Sequence, residues 1–349
     1  MSNLRGRSRR SFLTQSLTGA IALGAGAGFR APAELLPSAG KSRVVVARDP
    51  ALRGPGAAPG SAIDSRRLQA LLDRAMQSLF ERDRPAADAT ENPLAVWRRL
   101  VRSGDTVGLK VNTLGGRGIS TNVDLVAAIC ERLQQAGVKP ASIIVWDRDT
   151  EEMERAGFHI TIGGDRVQCY GTDRVDYEDY LAAWGSVGSC LSKILTRSSS
   201  ILINLPVLKD HDGAGVTIAL KNMYGVIHNP NKYHPNGCNP YVADVNMLPE
   251  IRSRMRLVIC DATTAMYEGG PGFKPERSWK ANALLLSQDP VALDYTGWQM
   301  IERKRAEMGL KTLEADQRAP RYIATAADSE HRLGRSEPAR IEVVEVIAA

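Results

Sequence analysis

From about residue 100 onward the chain alternates short apolar runs with amphipathic stretches. Thr106–Asn112, Ser142–Asp147, Arg166–Tyr170, Ser200–Asn204, Met255–Asp261 and Asn282–Ser287 have the length and apolar content of strands, and Arg340–Ile347 is a last one. Between them, Asn122–Ala136 carries helical spacing that stops at Gly137, and helices are expected at Thr217–Val226, Tyr241–Arg254 and Asp289–Gly309. Upstream, a strand at Arg43–Ala47 precedes Asp64–Glu81, where Leu68, Leu71, Leu72, Met76, Leu79 and Phe80 form one apolar face behind an Asp64 cap. A polar stretch, Arg82–Asn92, and a short helix through Trp97 and Leu100 follow. Strands alternating with helices predict an α/β fold, a largely parallel sheet with helices on both faces in a single large domain over 61–349.

The first 60 residues follow a different rule. Ser8-Arg9-Arg10-Ser11-Phe12-Leu13 and the mild apolar run from Leu17 to Phe29 read as a twin-arginine (Tat) signal peptide over residues 1–33, with Ala31-Pro32-Ala33 as a cleavage site and Pro37-Ser38-Ala39 as a second choice. The run is too short and too rich in Gly and Ala to span a bilayer stably. Residues 34–60 are a Pro/Gly/Ala-rich segment apart from the Arg43–Ala47 strand. A signal of this kind implies the Tat translocase as a partner during export and a periplasmic destination. It also changes the charge argument. Residues 1–33 hold five arginines and no acid, so removing them takes the formal charge from +6 to +1. The high isoelectric point then belongs to the leader and is no footprint of nucleic acid.

Candidate chemistry concentrates in one stretch, Ile201–Asn246, which holds three of the five histidines. Pro206 must end the Ser200–Asn204 strand. Lys209 and His211, two apart, point to one side of extended chain while Asp210 points to the other. Gly213 and Gly215 permit positive φ and close backbone approach, and Thr217 is expected at a helix start, where free N–H groups favour an anion. Along that helix Thr217, Lys221 and Tyr224 form one polar stripe among apolar neighbours. Lys232 and His234 repeat the Lys-x-His pattern in a loop with Asn229, Asn231, Asn236 and Asn239. His211, His228 and His234 are the histidines available to a metal, although their spacing matches neither H-x₃₋₅-H nor H-E-x-x-H. Lys110 and Asn112 end one strand on a common side and Asp261 ends another, so Asn112, Lys209 and Asp261 are expected to meet in the crevice at the carboxyl ends of the strands. Thr121 or Asn122 suffices as a helix cap, and Asp289-Pro290 as another; Asp294 is less easily explained that way.

Cofactor motifs give no direction. The five cysteines (Cys130, Cys169, Cys190, Cys238, Cys260) form no C-x-x-C pair and no iron–sulfur run, and neither a Walker nor a dinucleotide fingerprint occurs. Cys130 and Cys260 read as core residues, while Cys238 lies in the polar loop beside His234.

At these positions the chain resembles the family known as domain of unknown function 362. The matching pieces are GLKVN (108–112), TN (121–122), LINLPVLKDH (202–211), VTIALKNMYGV (216–226), the Lys232/His234 loop, VADVN (242–246), EGGPG (268–272) and DPVALD (289–294), in the family's order from about residue 100 to 300. Family members generally read Lys-Thr-His where this chain has Lys209-Asp210-His211. The resemblance implies shared site positions at Lys209, His211, Lys221, Asn222, Lys232, His234, Asp244, Asp261 and Glu268, and assigns no role to any of them. Many relatives carry an appended ferredoxin-like module that this sequence lacks.

Three functions fit these residues. The first is an exported enzyme acting on a small anion, carboxylate or phosphate, held by Lys209, Lys221 and the Gly213–Thr217 segment. His211 or His234 would be its general acid/base, and Asp244 or Asp261 would orient the imidazole. The second is a metal- or cofactor-containing oxidoreductase, in keeping with a route that exports folded proteins. The third is a periplasmic anion-binding protein without chemistry.

Overall fold

The computed structural model describes residues 40–81 and 92–348. The twin-arginine segment and both candidate cleavage sites lie outside them. Among the described residues, eleven of thirteen strands join one sheet. In chain order they are β1 (Ser42–Arg48), β2 (Val107–Lys110), β3 (Ile143–Trp146), β4 (Gln168–Cys169), β5 (Ala182–Trp184), β6 (Val187–Ser189), β7 (Ile201–Asn204), β8 (Val207–His211), β9 (Gly215–Thr217), β10 (Met255–Met266), β11 (Ser278–Trp279), β12 (Ala283–Ser287) and β13 (Ile341–Ile347). The sheet runs β13-β1-β12-β10-β7-β2-β3-β4, and β5 with β6 forms a separate hairpin.

The sheet is largely parallel, as expected. Pairs β1/β13, β2/β3, β2/β7, β3/β4, β7/β10 and β8/β10 are parallel, while β12 runs against both of its neighbours. Alternate side chains feed two cores, one on each face. Val45, Ala47, Ile201, Ile203, Leu257, Ile259, Leu284 and Leu286 pack with Leu68, Leu71, Leu72, Trp97, Leu125 and Ile129 from helices Ser65–Leu79, Pro93–Leu100 and Val123–Gln135. Val44, Val46, Leu202, Val258, Cys260 and Leu285 face the other way, onto helices Tyr241–Met247, Pro290–Glu307 and Tyr322–Ala327. The caps are those the sequence offers: Asp64, Asn122 and Asp289 each accept N–H bonds from the first turn of their helix.

Two helices expected from the sequence form differently. Tyr241–Arg254 is broken into Tyr241–Met247 and Pro249–Arg252, because Leu248, preceding a proline, is held at extended angles (φ −54°, ψ 127°). The expected Thr217–Val226 helix begins later. Gly215 takes φ +80°, and Gly215–Thr217 turns back as β9 to pair antiparallel with β8, with Thr217 opposite Lys209. Only Ala219–Asn222 is α-helical, followed by a 3₁₀ turn over Met223–Val226.

Asp294 holds that single turn. Its Oδ1 accepts from the Ala219 N–H at 2.7 Å and its Oδ2 from the Leu220 N–H at 3.0 Å. Thr217 therefore does not open a helix, and the N–H groups expected to face an anion already have a carboxylate. Burial pushes the Asp294 carboxyl up to about 8 in spite of these bonds. We predict that Asp294→Ala, which leaves two buried N–H groups unpaired, lowers stability by about 2–4 kcal/mol in urea unfolding. A loss below 0.5 kcal/mol would show that the turn is held by other contacts.

Candidate functional site

The carboxyl ends of β2 and β3, the β8–β9 hairpin and the turn after it surround one cleft of about 300 Å³. Its lining includes Lys110, Asn112, Asp147, Arg148, Glu152, Lys209, His211, Thr217, Lys221, Asn222, Tyr224 and His234, with Leu114, Pro230 and Pro271 as apolar walls. This is the crevice position expected of an open α/β sheet, and the volume suits a small metabolite.

Period-two geometry puts Lys209 and His211 on the cleft side of β8 and sends Asp210 behind it, where Oδ1 accepts from Gly270 N–H (2.8 Å) and Oδ2 from Arg318 (3.3 Å). Thr217, across the hairpin from Lys209, lines the same cavity. Its Oγ is buried with no hydrogen-bond partner among the described residues. A buried hydroxyl that lines a cavity and has no protein partner is free to bond a group that enters it.

The cleft's three lysines are held in two different ways. Lys110 donates to Asp147 Oδ1 (2.6 Å), Val111 O (2.8 Å) and Asn222 Oδ1 (3.5 Å), so its charge is neutralised and its three donors are engaged. Asp147 is itself tied down by the Thr113 N–H and hydroxyl, both at 2.9 Å. Lys209 and Lys221 reach no carboxylate among the described residues. Lys209 Nζ donates to Asn112 Oδ1 at 2.9 Å, and Lys221 Nζ stands 3.4 Å from His234 Nε2 and 4.9 Å over the Tyr224 ring. Burial, reinforced by the neighbouring Lys221 charge, brings the Lys209 ammonium down to about 7. Burial alone brings Lys221 to about 8.

The two histidines have complementary protonation. His211 Nδ1 accepts from the N–H groups of Gly213 (3.1 Å) and Ala214 (3.2 Å), so the ring's proton resides on Nε2. His234 Nδ1 lies 3.1 Å from the Pro230 carbonyl and must donate to it, which leaves Nε2 as a lone pair. The rings stack with centroids 5.8 Å apart. Burial, then the Lys221 charge, keeps both neutral, His211 down at about 3 and His234 below its ordinary value. One imidazole thus offers a proton and the other accepts one.

Several residues singled out in the sequence lie elsewhere. Asp261 lines no part of the cleft; it accepts from Asn122 N–H (2.7 Å) and Thr263 N–H (2.8 Å). Asp244 orients neither cleft histidine, because it binds His331 Nε2 at 2.9 Å and the Ser186 N–H at 2.8 Å. Glu268 pairs with Arg305 and Arg318. Lys232 is exposed, with Nζ 5.6 Å from the Tyr233 ring centroid. His228 is exposed and packs edge-on to Tyr177, so His211, His228 and His234 do not converge. Gly213 has no positive φ, and neither it nor Gly215 lines the cleft. Among the described residues no group of three or more His, Cys, Asp or Glu side chains is arranged to hold a metal ion.

Asp147, Arg148 and Glu152 were missed. They follow the apolar run Ile143–Trp146 directly, and the adjacency of β3 to β2 was the signal that could have found them.

The profile described as domain of unknown function (DUF362) matches residues 107–299, more than half of the chain. The chain belongs to this family. Every cleft residue named above falls within the matched span. No curated protein matches. Among solved structures, the lactate racemase apoprotein of Thermoanaerobacterium thermosaccharolyticum is similar with a TM-score of 0.37 and 11% identity, over 65% of this chain and 55% of that one. A protein from Thermotoga maritima gives 0.36 and 8%, over 70% and 59%. The chain thus spans little more than half the length of either neighbour.

The unpaired lysine is a stability liability. A fall from 10.5 to about 7 costs the fully charged form about 5 kcal/mol, complete below pH 7 and fading between pH 7 and 10.5 as the unfolded chain also loses the proton. We predict that Lys209→Met gains on the order of 2 kcal/mol at pH 7, after the loss of the bond to Asn112. The gain should shrink toward pH 10. A difference from wild type that is flat from pH 6 to 10 would show that the buried charge is not its source.

Proposed function

We propose that this family member is an enzyme that binds a small carboxylate or phosphate in the cleft and moves protons through its two histidines. The observation that carries this reading is the combination around one cavity of two ammonium groups without carboxylate partners and a buried hydroxyl without a partner among the described residues. An anion supplies what all three lack. Lys221 and Thr217 are the groups with free capacity to hold it; Lys110, already paired with Asp147, contributes little.

The histidines distinguish an enzyme from a binding protein. Affinity for an anion has no use for one imidazole fixed as donor and another fixed as acceptor, whereas general acid–base chemistry needs both. His211 Nε2–H is assigned as acid and His234 Nε2 as base, with Lys221 beside the base to set its proton affinity. The metal-containing form of the oxidoreductase alternative needs a donor set, and no group of three or more His, Cys, Asp or Glu side chains is placed to hold a metal ion among the described residues.

Export by the Tat route belongs to the same proposal and rests on the Arg9-Arg10 segment. Among the described residues no helix is long and apolar enough to cross a membrane.

In a thermal-shift screen, a small carboxylate or phosphate should raise the midpoint by several degrees. Lys221→Gln and Thr217→Val should each weaken that ligand at least tenfold, while Lys232→Gln, outside the cleft, should not. His234→Gln should keep binding and lose turnover at least a hundredfold. Binding retained with no turnover in any variant, wild type included, favours the binding-protein reading; no anion effect at all removes the anion site. For export, fusing residues 1–40 to a folded reporter should place it in the periplasm, and changing Arg9-Arg10 to Lys-Lys should leave it in the cytoplasm. Export unaffected by that change would refute the Tat assignment.

A further inference from the structure

Lys209 differs from the other cleft lysines in a way that anion binding does not explain. Like Lys110 its side chain is wholly enclosed, but unlike Lys110 it reaches no carboxylate among the described residues, and it sits at the middle of β8 with Lys221 and Thr217 beside it. One of its donors is met, by Asn112 Oδ1. Asn112 cannot swing away to release it, because its amide nitrogen donates to Asn222 Oδ1 at 3.0 Å and Asn222 donates to Asn204 Oδ1 at 2.7 Å. On the opposite side the backbone presses in at Gly115, where a Cβ would stand 2.9 Å from Nζ. The nitrogen is therefore fixed in place and enclosed, and no counter-ion reaches it among the described residues.

We infer that Lys209 is a nucleophile that forms a Schiff base with the carbonyl carbon of a small 2-oxo acid bound in the cleft. The inference deepens the anion-site reading and rests on it: the carboxylate goes to Lys221 and Thr217, and the adjacent carbonyl then faces Lys209. An amine reacts only when unprotonated, and desolvation together with a second cation is a recognised way to free one near neutral pH. Both conditions hold here: Lys209 is wholly buried, and burial together with the neighbouring Lys221 charge lowers its proton affinity.

The step balances within the cleft. The Nζ lone pair adds to the carbonyl carbon, the C=O π pair moves to oxygen, and that oxygen takes a proton from His211 Nε2. Nitrogen gives up a proton to His234 Nε2, His234 returns that proton to the hydroxyl, C=N forms as water leaves, and the remaining N–H proton goes back to His211 Nε2. The net change is amine plus ketone to imine plus water. Protonated, the imine draws electrons from the neighbouring C–H or carboxylate bond, which is the use such adducts have in catalysis. Leu114, Pro230 and Pro271 leave an apolar wall for a short substituent on the oxo acid.

The test is reductive trapping on the whole protein, with pyruvate and glyoxylate as probes and sodium cyanoborohydride as reductant, read by intact mass and peptide mapping. The expected result is one adduct per chain, on the peptide carrying Lys209, at least tenfold faster than at the exposed Lys232, with a rate that rises through pH 7. Lys209→Arg should abolish it with an unchanged circular dichroism spectrum, and Lys221→Gln should slow it at least tenfold. Should Lys209→Arg fail to fold, the wild-type map alone decides. Adducts spread over exposed lysines, or placed on Lys221, overturn the inference. Anion-induced thermal stabilisation without an adduct on Lys209 overturns it too, and leaves the anion site standing. Absence of both removes the two readings together.

Discussion

A directional chain of side-chain amides sets the geometry of the cleft. Lysine can only donate, so Lys209 obliges Asn112 to present its oxygen. Asn112 must then donate to Asn222, Asn222 to Asn204, and Asn204 Nδ2 to the Ala219 carbonyl at 2.9 Å. Each amide has one orientation that satisfies its neighbours. The series links the ends of β2 and β7 and the middle of β8 to the short turn Ala219–Asn222, and so connects the strands that carry Lys110 and Lys209 to the turn that carries Lys221. In a buried setting an amide turned the wrong way faces a like group and leaves two atoms unpaired, at about 1–3 kcal/mol each. The chain is therefore a constraint on position as much as a source of stability.

From that constraint the electrostatics follow. Burial lowers the proton affinity of both lysines and both imidazoles, the Lys221 charge lowers that of Lys209, His211 and His234 further, and no neighbouring carboxylate reverses the effect. Asp147 could have done so, but it is fully engaged by Lys110, Thr113 and the Arg148 N–H. Glu152 lines the same cleft, and burial followed by repulsion from Asp147 raises its proton affinity, which reduces its ability to compensate a cation. The result is a cavity short of negative charge in its resting state. A site kept in that condition by paired acids close at hand is what the proposed anion binding requires.

How much of this could be read in the sequence depended on the distance over which the causes act. The opposite facing of Lys209/His211 and Asp210 needs only the two-residue period of a strand, and it was legible. So were the caps at Asp64 and Asp289, which are local. The Thr217 helix start was not, because β9 exists only through its pairing with β8, and the Gly215 turn that permits that pairing is compatible with a helix entrance as well. Asp294 is 75 residues from the N–H group it caps, and Asp244 is 87 from His331. No periodicity connects partners that far apart, so the sequence does not show that Asp244 pairs with His331, or that Asp261 accepts from backbone N–H groups instead of a cleft histidine. Asp147, Arg148 and Glu152 required the order of the strands, which composition and spacing do not supply.

The rear of β8 explains how the strand tolerates an acid where the family pattern reads threonine. Asp210 is fully buried, yet it faces Gly270 N–H and Arg318 on the side remote from the cleft. Arg318 also binds Glu268, and Glu268 pairs with Arg305, whose guanidinium donates to the Tyr267 carbonyl at 3.1 Å. These groups form a neutralising network in which the added charge of Asp210 has a partner. Glu268 belongs to this network and serves the site by fixing the strand from behind. One strand thus separates two regimes, charge-balanced on one side and short of acid on the other. The alternation that places Asp210 in the first is what keeps its carboxylate from quenching Lys209 in the second.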